Sequence, residues 1–254
     1  MEERKRREIE YYDAEAVRQR VSSFVPSALG SYQFLYKVAT PWIKGKKVLD
    51  YGCGDGRHTQ FLAEHAKEVI GIDLSERSLE IAKKIAVREG VEEKVKFLKM
   101  DCEAMEFPDN SFDVVFDGGT FSSLDFEKAI GEIMRVLQPD GALVGIETFG
   151  HNPLTNAKRV LNRLTGKRTA WAASHIVQQK ELERLRQNFE QIEVFYFHLI
   201  SLSAFPLLDL PGGRLVLRLL EGIDNLLLHI PFLQKYSFKV VFLCKDPRYG
   251  KKIT

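Results

Sequence analysis

From position 47 onward, short continuously apolar runs alternate with longer segments whose apolar positions recur every three or four residues. Runs of the first kind read as strands covered on both faces, and the longer segments as amphipathic helices. The pattern predicts strands over 47–50, 68–74, 94–100, 112–116, 142–148, 191–199 and 238–244. Helices are predicted over 57–67 and 179–189, with two more opening after Ser75 and Asp125, which are placed to cap them. Gly90 is placed to end the first of these in a left-handed turn, and 139–141 reads as the turn into the fifth strand. Strands separated by helices of this length imply right-handed crossovers, hence an α/β, doubly wound and mostly parallel sheet.

Before this core, residues 8–37 read as helical, with Tyr11, Tyr12, Val17, Val21 and Phe24 spaced along one face and breaks at Pro26 and Gly30. The division is therefore an N-terminal helical arm over 1–40 and one domain over 41–254. Insertions at 149–177 and 200–236 interrupt the core, with helices predicted at 153–164 and 215–228. The second is apolar but carries Arg218, Glu221, Asp224 and Asn225, too short and too charged to span a bilayer.

Composition adds exclusions. A chain of 254 residues with 44% apolar and 28% charged residues is ordinary for a soluble enzyme. A formal net charge of +2 offers no general field for nucleic acid. Cys53, Cys102 and Cys244 fit no disulfide or zinc spacing, and a reducing cytoplasm is the simplest setting. The basic cluster at 4–7 is followed by no apolar run, so it reads as a solvated arm rather than a secretory leader.

The chemistry concentrates at Asp50-Tyr51-Gly52-Cys53-Gly54-Asp55-Gly56-Arg57, with Asp73 ending the next strand. Glycines at alternate positions are expected to let a ligand lie against backbone N–H groups at a helix start, with Asp73 facing a ribose. A dinucleotide fingerprint would place its third glycine at 57, where Arg57 stands. Asp50 at that mouth suits a cation better than a pyrophosphate. Residues 48–56 resemble the first motif of class I S-adenosylmethionine-dependent methyltransferases, most closely the small-molecule group. The resemblance extends over 46–148 through Asp73, Asp101 and the strand ending at Asp117. It implies a Rossmann-like sheet of seven strands with an antiparallel last strand, here reached through the 200–236 insertion.

The resemblance implies S-adenosyl-L-methionine as cofactor and assigns residues to it. Gly52, Cys53, Gly54 and Gly56 would admit its methionine and ribose portions, and Asp50 would face its ammonium or order the glycine turn. Asp73 would accept both ribose hydroxyls. Asp101 would receive the adenine amino group and the Cys102 N–H a ring nitrogen, with Leu74 and Met100 about the purine. Tyr12, with Tyr11, would lie over the ligand as part of a lid. Asp117, beside Gly118 and Gly119, would border the transferred methyl. Glu147, His151 and His175 are the candidate bases beyond the fifth strand, while His58, His65, His198 and His229 read as structural or surface residues. No grouping has metal-ligand spacing. Asp117-Gly118-Gly119-Thr120 stands where methyltransferases of base amines and glutamine amides carry an Asn/Asp-Pro-Pro-aromatic turn, which removes support for those acceptors. Phe195, Phe197, Phe205, Leu207, Leu208, Trp171 and Phe232 make the insertions rich in large apolar groups. They point to a lipophilic small-molecule acceptor, a peripheral membrane contact or a dimer face, leaving monomer or homodimer open. A protein or lipid acceptor, a nicotinamide-dependent dehydrogenase and a non-catalytic nucleoside-binding module are the alternative readings.

Overall fold

The computed structural model describes residues 2–18, 29–152, 155–156 and 169–248. Seven strands form one sheet: β1 (Lys47–Tyr51), β2 (Glu68–Asp73), β3 (Val95–Lys99), β4 (Phe112–Asp117), β5 (Leu137–Thr148), β6 (Phe189–Phe197) and β7 (Lys239–Pro247). Their order is β3-β2-β1-β4-β5-β7-β6. The pairs β1–β2, β1–β4, β2–β3 and β4–β5 are parallel, and β7 runs antiparallel to both β5 and β6. The strand order reverses between β1 and β4, so a crevice opens at their carboxyl ends.

Successive strand residues serve opposite faces of the sheet. Val48, Val69, Val114 and Phe116 belong to one buried cluster, while Leu49, Ile70 and Val115 belong to another. Both faces of the central strands are covered, which is why β1, β2 and β4 are largely apolar rather than alternating, while β3 and β6 at the edges stay partly exposed. The helices are α1 (Glu3–Arg18), α2 (Gly30–Ile43), α3 (Thr59–His65), α4 (Glu76–Arg88), α5 (Phe126–Val136), α6 (Ala170–Ser174), α7 (Gln179–Asn188), α8 (Gly213–Leu227) and α9 (Pro231–Gln234). Ser75 caps α4 by accepting from the Ser78 N–H, and Asp125 caps α5 by accepting from the N–H groups of Glu127 and Lys128. Gly90 takes φ +69° just beyond α4.

Three expectations need correction. Gly30 opens a helix instead of breaking one, because its N–H donates to the Glu221 carboxylate at 3.0 Å and so satisfies a donor of the first turn. The turn expected at 139–141 is drawn into β5, where the register shifts between Phe112↔Leu137 and Val114↔Ala142. The helix expected over 57–67 starts only at Thr59, because the Gly56 carbonyl accepts from the Thr59 N–H in a tight turn. The predicted helix at 153–164 lies, apart from Thr155 and Asn156, outside the described residues, as do Val21, Phe24 and Pro26.

Candidate active site

Gly52, Gly54 and Gly56 have φ of +66°, +53° and +76°, a region that costs any other L-residue about 1–2 kcal/mol. A Cβ on Gly52 would run into the Thr120 side chain, and one on Gly56 would stand 2.9 Å from the Ala82 Cβ. The protein's own packing therefore already requires those two glycines, whatever ligand approaches the turn. Gly54 is different, since a Cβ there would meet nothing within 4 Å. Its N–H donates to Asp73 Oδ2 at 3.0 Å, while the Ser75 N–H donates to Asp73 Oδ1 at 2.8 Å. The second strand's acid thus fixes the first strand's turn.

Above this turn lies a cavity of about 260 Å³, near the lower end for small-molecule sites. Its walls are the glycine turn, Asp73 to Ser75, Asp101 and Cys102, and Gly118 to Thr120, with α1 across the top. The hold of α1 is electrostatic. Arg4 donates to both Glu103 oxygens at 2.6 Å, and Lys5 reaches Asp101 Oδ2 at 2.6 Å and Glu103 at 3.0 Å. Tyr12 Oη lies 2.9 Å from Ser123 Oγ, and the Ser75 hydroxyl donates to Asp13 at 2.5 Å. Burial opposes the charge on Glu103, but hydrogen bonds from Arg4, the Asp125 N–H and Lys5 hold it below the usual carboxylate range. Residues 4 and 5 are therefore not a solvated arm. They are ion-paired to acids about a hundred positions away, a distance that no local pattern reveals.

Of the residues expected at the cofactor, Tyr12, Gly52, Cys53, Gly54, Asp73, Leu74, Asp101 and Cys102 line this cavity; Asp50, Gly56 and Asp117 do not. Tyr11 packs edge-on against Tyr12, and Met100 packs on the core. Asp50 is buried and accepts the Thr59 hydroxyl at 2.6 Å, so it orders the start of α3. Burial pushes it up to about 7, assisted by the charges of Asp117, Asp73 and Asp55 and opposed by the Thr59 hydrogen bond. Asp117 is fully buried. Burial first, then the neighbouring Glu147 charge, raises it well above the ordinary value, against N–H bonds from Thr120 and Gly119.

The expected bases lie elsewhere. Glu147 is buried and accepts the Phe121 N–H at 2.6 Å. His151 Nε2 stands 3.4 Å from the Gln179 N–H, and His175 stacks on Trp171 with ring centroids 3.6 Å apart. None of the three lines the cavity.

His58, read as a structural or surface residue, also lines it. It is buried, stacks on Tyr32, and its Nδ1 lies 2.8 Å from Tyr36 Oη. Burial, with the Arg57 and Lys239 charges, pushes it down to about 4, so the ring is neutral near pH 7. Adjacency to the glycine turn was the one signal in the sequence. Lys239, at the start of β7 opposite Thr148 and Phe197, is buried with its Nζ 5.4 Å from the Tyr32 ring centroid.

Four carboxylates (Glu8, Asp55, Asp73, Asp101) face three cations (Arg4, Lys5, Arg57) in the lining. Each cation is ion-paired, Arg57 with Asp55 at 2.7 Å. Among the described residues the lining therefore offers a diphosphate no uncommitted cation, whereas the Gly54 turn beside the Asp73 and Asp101 carboxylates suits a cationic, hydroxyl-rich ligand. Among the described residues no group of three or more His, Cys, Asp or Glu could hold a metal.

Residues 43–190 match the family model of a methyltransferase domain. Over 105 residues the chain is 42% identical to a demethylmenaquinone methyltransferase of Thermus thermophilus, covering 40% of this chain and 47% of that one. Over 100 residues it is 40% identical to the sterol 24-C-methyltransferase erg6 of Aspergillus fumigatus, covering 39% and 26%. The chain thus spans less than half the length of these curated relatives. A phosphoethanolamine N-methyltransferase 2 of Haemonchus contortus in complex with S-adenosyl-L-methionine shares the fold, with a TM-score of 0.60, 22% identity and coverage of 86% of this chain and 52% of that one.

Proposed function

Because the chain belongs to the methyltransferase-domain family, we propose that it transfers a methyl group from S-adenosyl-L-methionine to a small, lipophilic organic acceptor. The observation that carries this reading is the open face of Gly54 beside the Asp73 and Asp101 carboxylates, in a lining whose cations, among the described residues, are all ion-paired. When bound, S-adenosyl-L-methionine supplies a methyl group on a positively charged sulfur that is already a good leaving group. Asp73, fixed by the Gly54 and Ser75 N–H groups, is the acceptor for ribose hydroxyls. Asp101 and Leu74 take the base. Lys5 already holds one Asp101 oxygen, so ligand binding and the closure of α1 act through the same carboxylate. Lying across the top, α1 serves as the lid of the cavity, whereas α2, the other described part of the 1–40 arm, packs into the core through Leu35 and Ala39.

The acceptor is supported by two relatives named for demethylmenaquinone and for sterols, both lipophilic. His58, the one histidine of the lining among the described residues, is held too low to be a strong proton acceptor near pH 7. The reading is therefore of an acceptor already nucleophilic as bound, with catalysis resting on alignment, worth up to about 7–11 kcal/mol in ideal intramolecular cases. His151, Asp117 and Glu147 serve this reading as structural groups. A lipophilic acceptor dissolves in bilayers, so the proposal extends to contact with a membrane surface. No helix of the described residues is long and apolar enough to cross one, and three free, buried cysteines fit the reducing cytoplasm.

Calorimetric titration with S-adenosylhomocysteine and with NAD(H) tests the ligand class, and binding of the first alone is expected. Labelled methyl donor incubated with solvent extracts, followed by mass spectrometry, tests the acceptor. Label in an apolar product is expected. Tight binding without any labelled product would instead mark a non-catalytic nucleoside-binding module.

A further inference from the structure

The segment between β6 and β7 presents an apolar surface on which none of the described residues packs closely enough to bury it. Leu215, Leu219 and Leu226 on α8 are 62%, 63% and 72% exposed, and Phe232 on α9 is 63% exposed. Ile223 and Ile230 are also exposed, as are Leu207 and Leu210 in the approach to α8. Positions 215, 219, 223 and 226 follow the repeat of α8, so they form one stripe, with Ile230 exposed just beyond the helix, while Leu217, Asp224 and Leu228 turn to the protein. A monomeric soluble protein rarely leaves so continuous a patch uncovered.

The charges around the stripe are sorted by sign. The acids of α8 face inward: Asp224 accepts from the N–H groups of Leu199, Ile200 and Ser201 at 2.8–3.0 Å, and Glu221 accepts from the Gly30 N–H. Left facing outward over 207–236 are Arg214, Arg218 and Lys235, with Asp209 as the one exposed acid. We propose that this face docks on an anionic lipid bilayer, with α8 lying in the interface plane, its leucines among the acyl chains and its cations at the headgroups. A second copy of the chain is a poorer occupant. A two-fold pairing would set these cations against themselves, with only Asp209 to meet them.

The topology gives the docking a use. Phe197 at the end of β6 and Thr148 at the end of β5 both pair with Lys239 at the start of β7. The insertion therefore leaves and re-enters the sheet at the same end of the strands where β1 and β4 open the crevice. It also packs on the start of α2, where Leu29 meets Ala204 and Leu217. A lipophilic acceptor would pass from bilayer to cavity along one edge of the molecule. This last point rests on the proposed function; the docking itself does not.

The test is co-sedimentation of the whole chain with phosphatidylcholine vesicles, with and without phosphatidylglycerol. Binding to the anionic vesicles that weakens with added salt is expected. Leu219→Asp with Leu226→Asp should lower the partition coefficient at least about tenfold. Arg214→Gln with Arg218→Gln should lower it about 30-fold, each basic residue near an anionic surface contributing about fivefold. Both variants should keep the wild-type circular dichroism and S-adenosylhomocysteine affinity, which separates this proposal from the reading of the cavity. Failure to sediment with anionic vesicles, binding indifferent to both pairs of substitutions, or a dimer in sedimentation equilibrium that Leu219→Asp dissociates would each overturn it.

Discussion

Replacing Asp50 by asparagine should make the protein more stable, by an amount that grows with pH. In the folded chain Asp50 is buried and its carboxyl stands at about 7, while in the unfolded chain it returns to the usual 3.8. Below about pH 4 both states hold the proton, and Asp50 makes no difference to pH dependence. Between there and pH 7 the unfolded chain releases the proton while the folded chain keeps it, so wild-type stability falls as pH rises. Above about 7 both are ionised and the loss levels off. Three units of difference correspond to about 4 kcal/mol. Asparagine escapes this cost and keeps an oxygen for the Thr59 hydroxyl, now 2.6 Å away. The Thr59 hydrogen bond's help to the charged form is already contained in the value of about 7, so it adds no separate penalty. Urea unfolding of both proteins by circular dichroism at about pH 5, 6, 7 and 8 measures the difference. It should climb steadily to about pH 7 in favour of Asp50→Asn and then flatten. A difference independent of pH would mean that Asp50 is ionised in the folded protein throughout, and would refute its placement in a desolvated site.

Asp73→Asn keeps an oxygen for only one of the Gly54 and Ser75 N–H groups and removes the charge; it should weaken S-adenosylhomocysteine binding roughly 10- to 100-fold by calorimetry and lower the melting temperature by the loss of about 1–3 kcal/mol. Arg4→Ala with Lys5→Ala removes the ion pairs to Glu103 and Asp101, and should raise amide exchange along α1 and speed ligand dissociation; unchanged exchange would show that α1 is held by other contacts. Gly52→Ala meets both φ +66° and the Thr120 side chain, so it should cost roughly 3 kcal/mol, seen as a melting temperature lower by roughly 6–12 °C. Gly90→Ala, with φ +69° but open space around it, should cost only about 1–2 kcal/mol.

Much of this architecture is legible from local pattern. Continuous apolar runs reveal doubly covered strands, as at Val114 to Phe116, because neighbouring residues serve opposite buried faces. Ser75 and Asp125 announce their helices because capping is a local hydrogen bond. The cavity residues Asp73, Asp101 and Cys102 are legible for a similar reason, since they sit at strand ends beside the glycine turn. Depth is not legible. Asp50, Asp117 and Glu147 also end strands, yet their side chains are buried within the protein, and a strand-end position alone does not say to which side an acid turns. Nor are distant pairings legible. Lys5 with Asp101, and Glu221 with Gly30, join segments 96 and 191 positions apart. His58 was missed because its surroundings, Tyr32 and Tyr36, come from a separate helix.

The most direct measurement is a crystal structure of the chain with S-adenosylhomocysteine. Ribose hydroxyls on Asp73, the base beside Asp101 and Leu74, and α1 closed over both through Arg4 and Lys5 are expected. A cavity that stays vacant at saturating ligand, or one that accepts a dinucleotide with its diphosphate against the Gly54 backbone, would contradict the assignment.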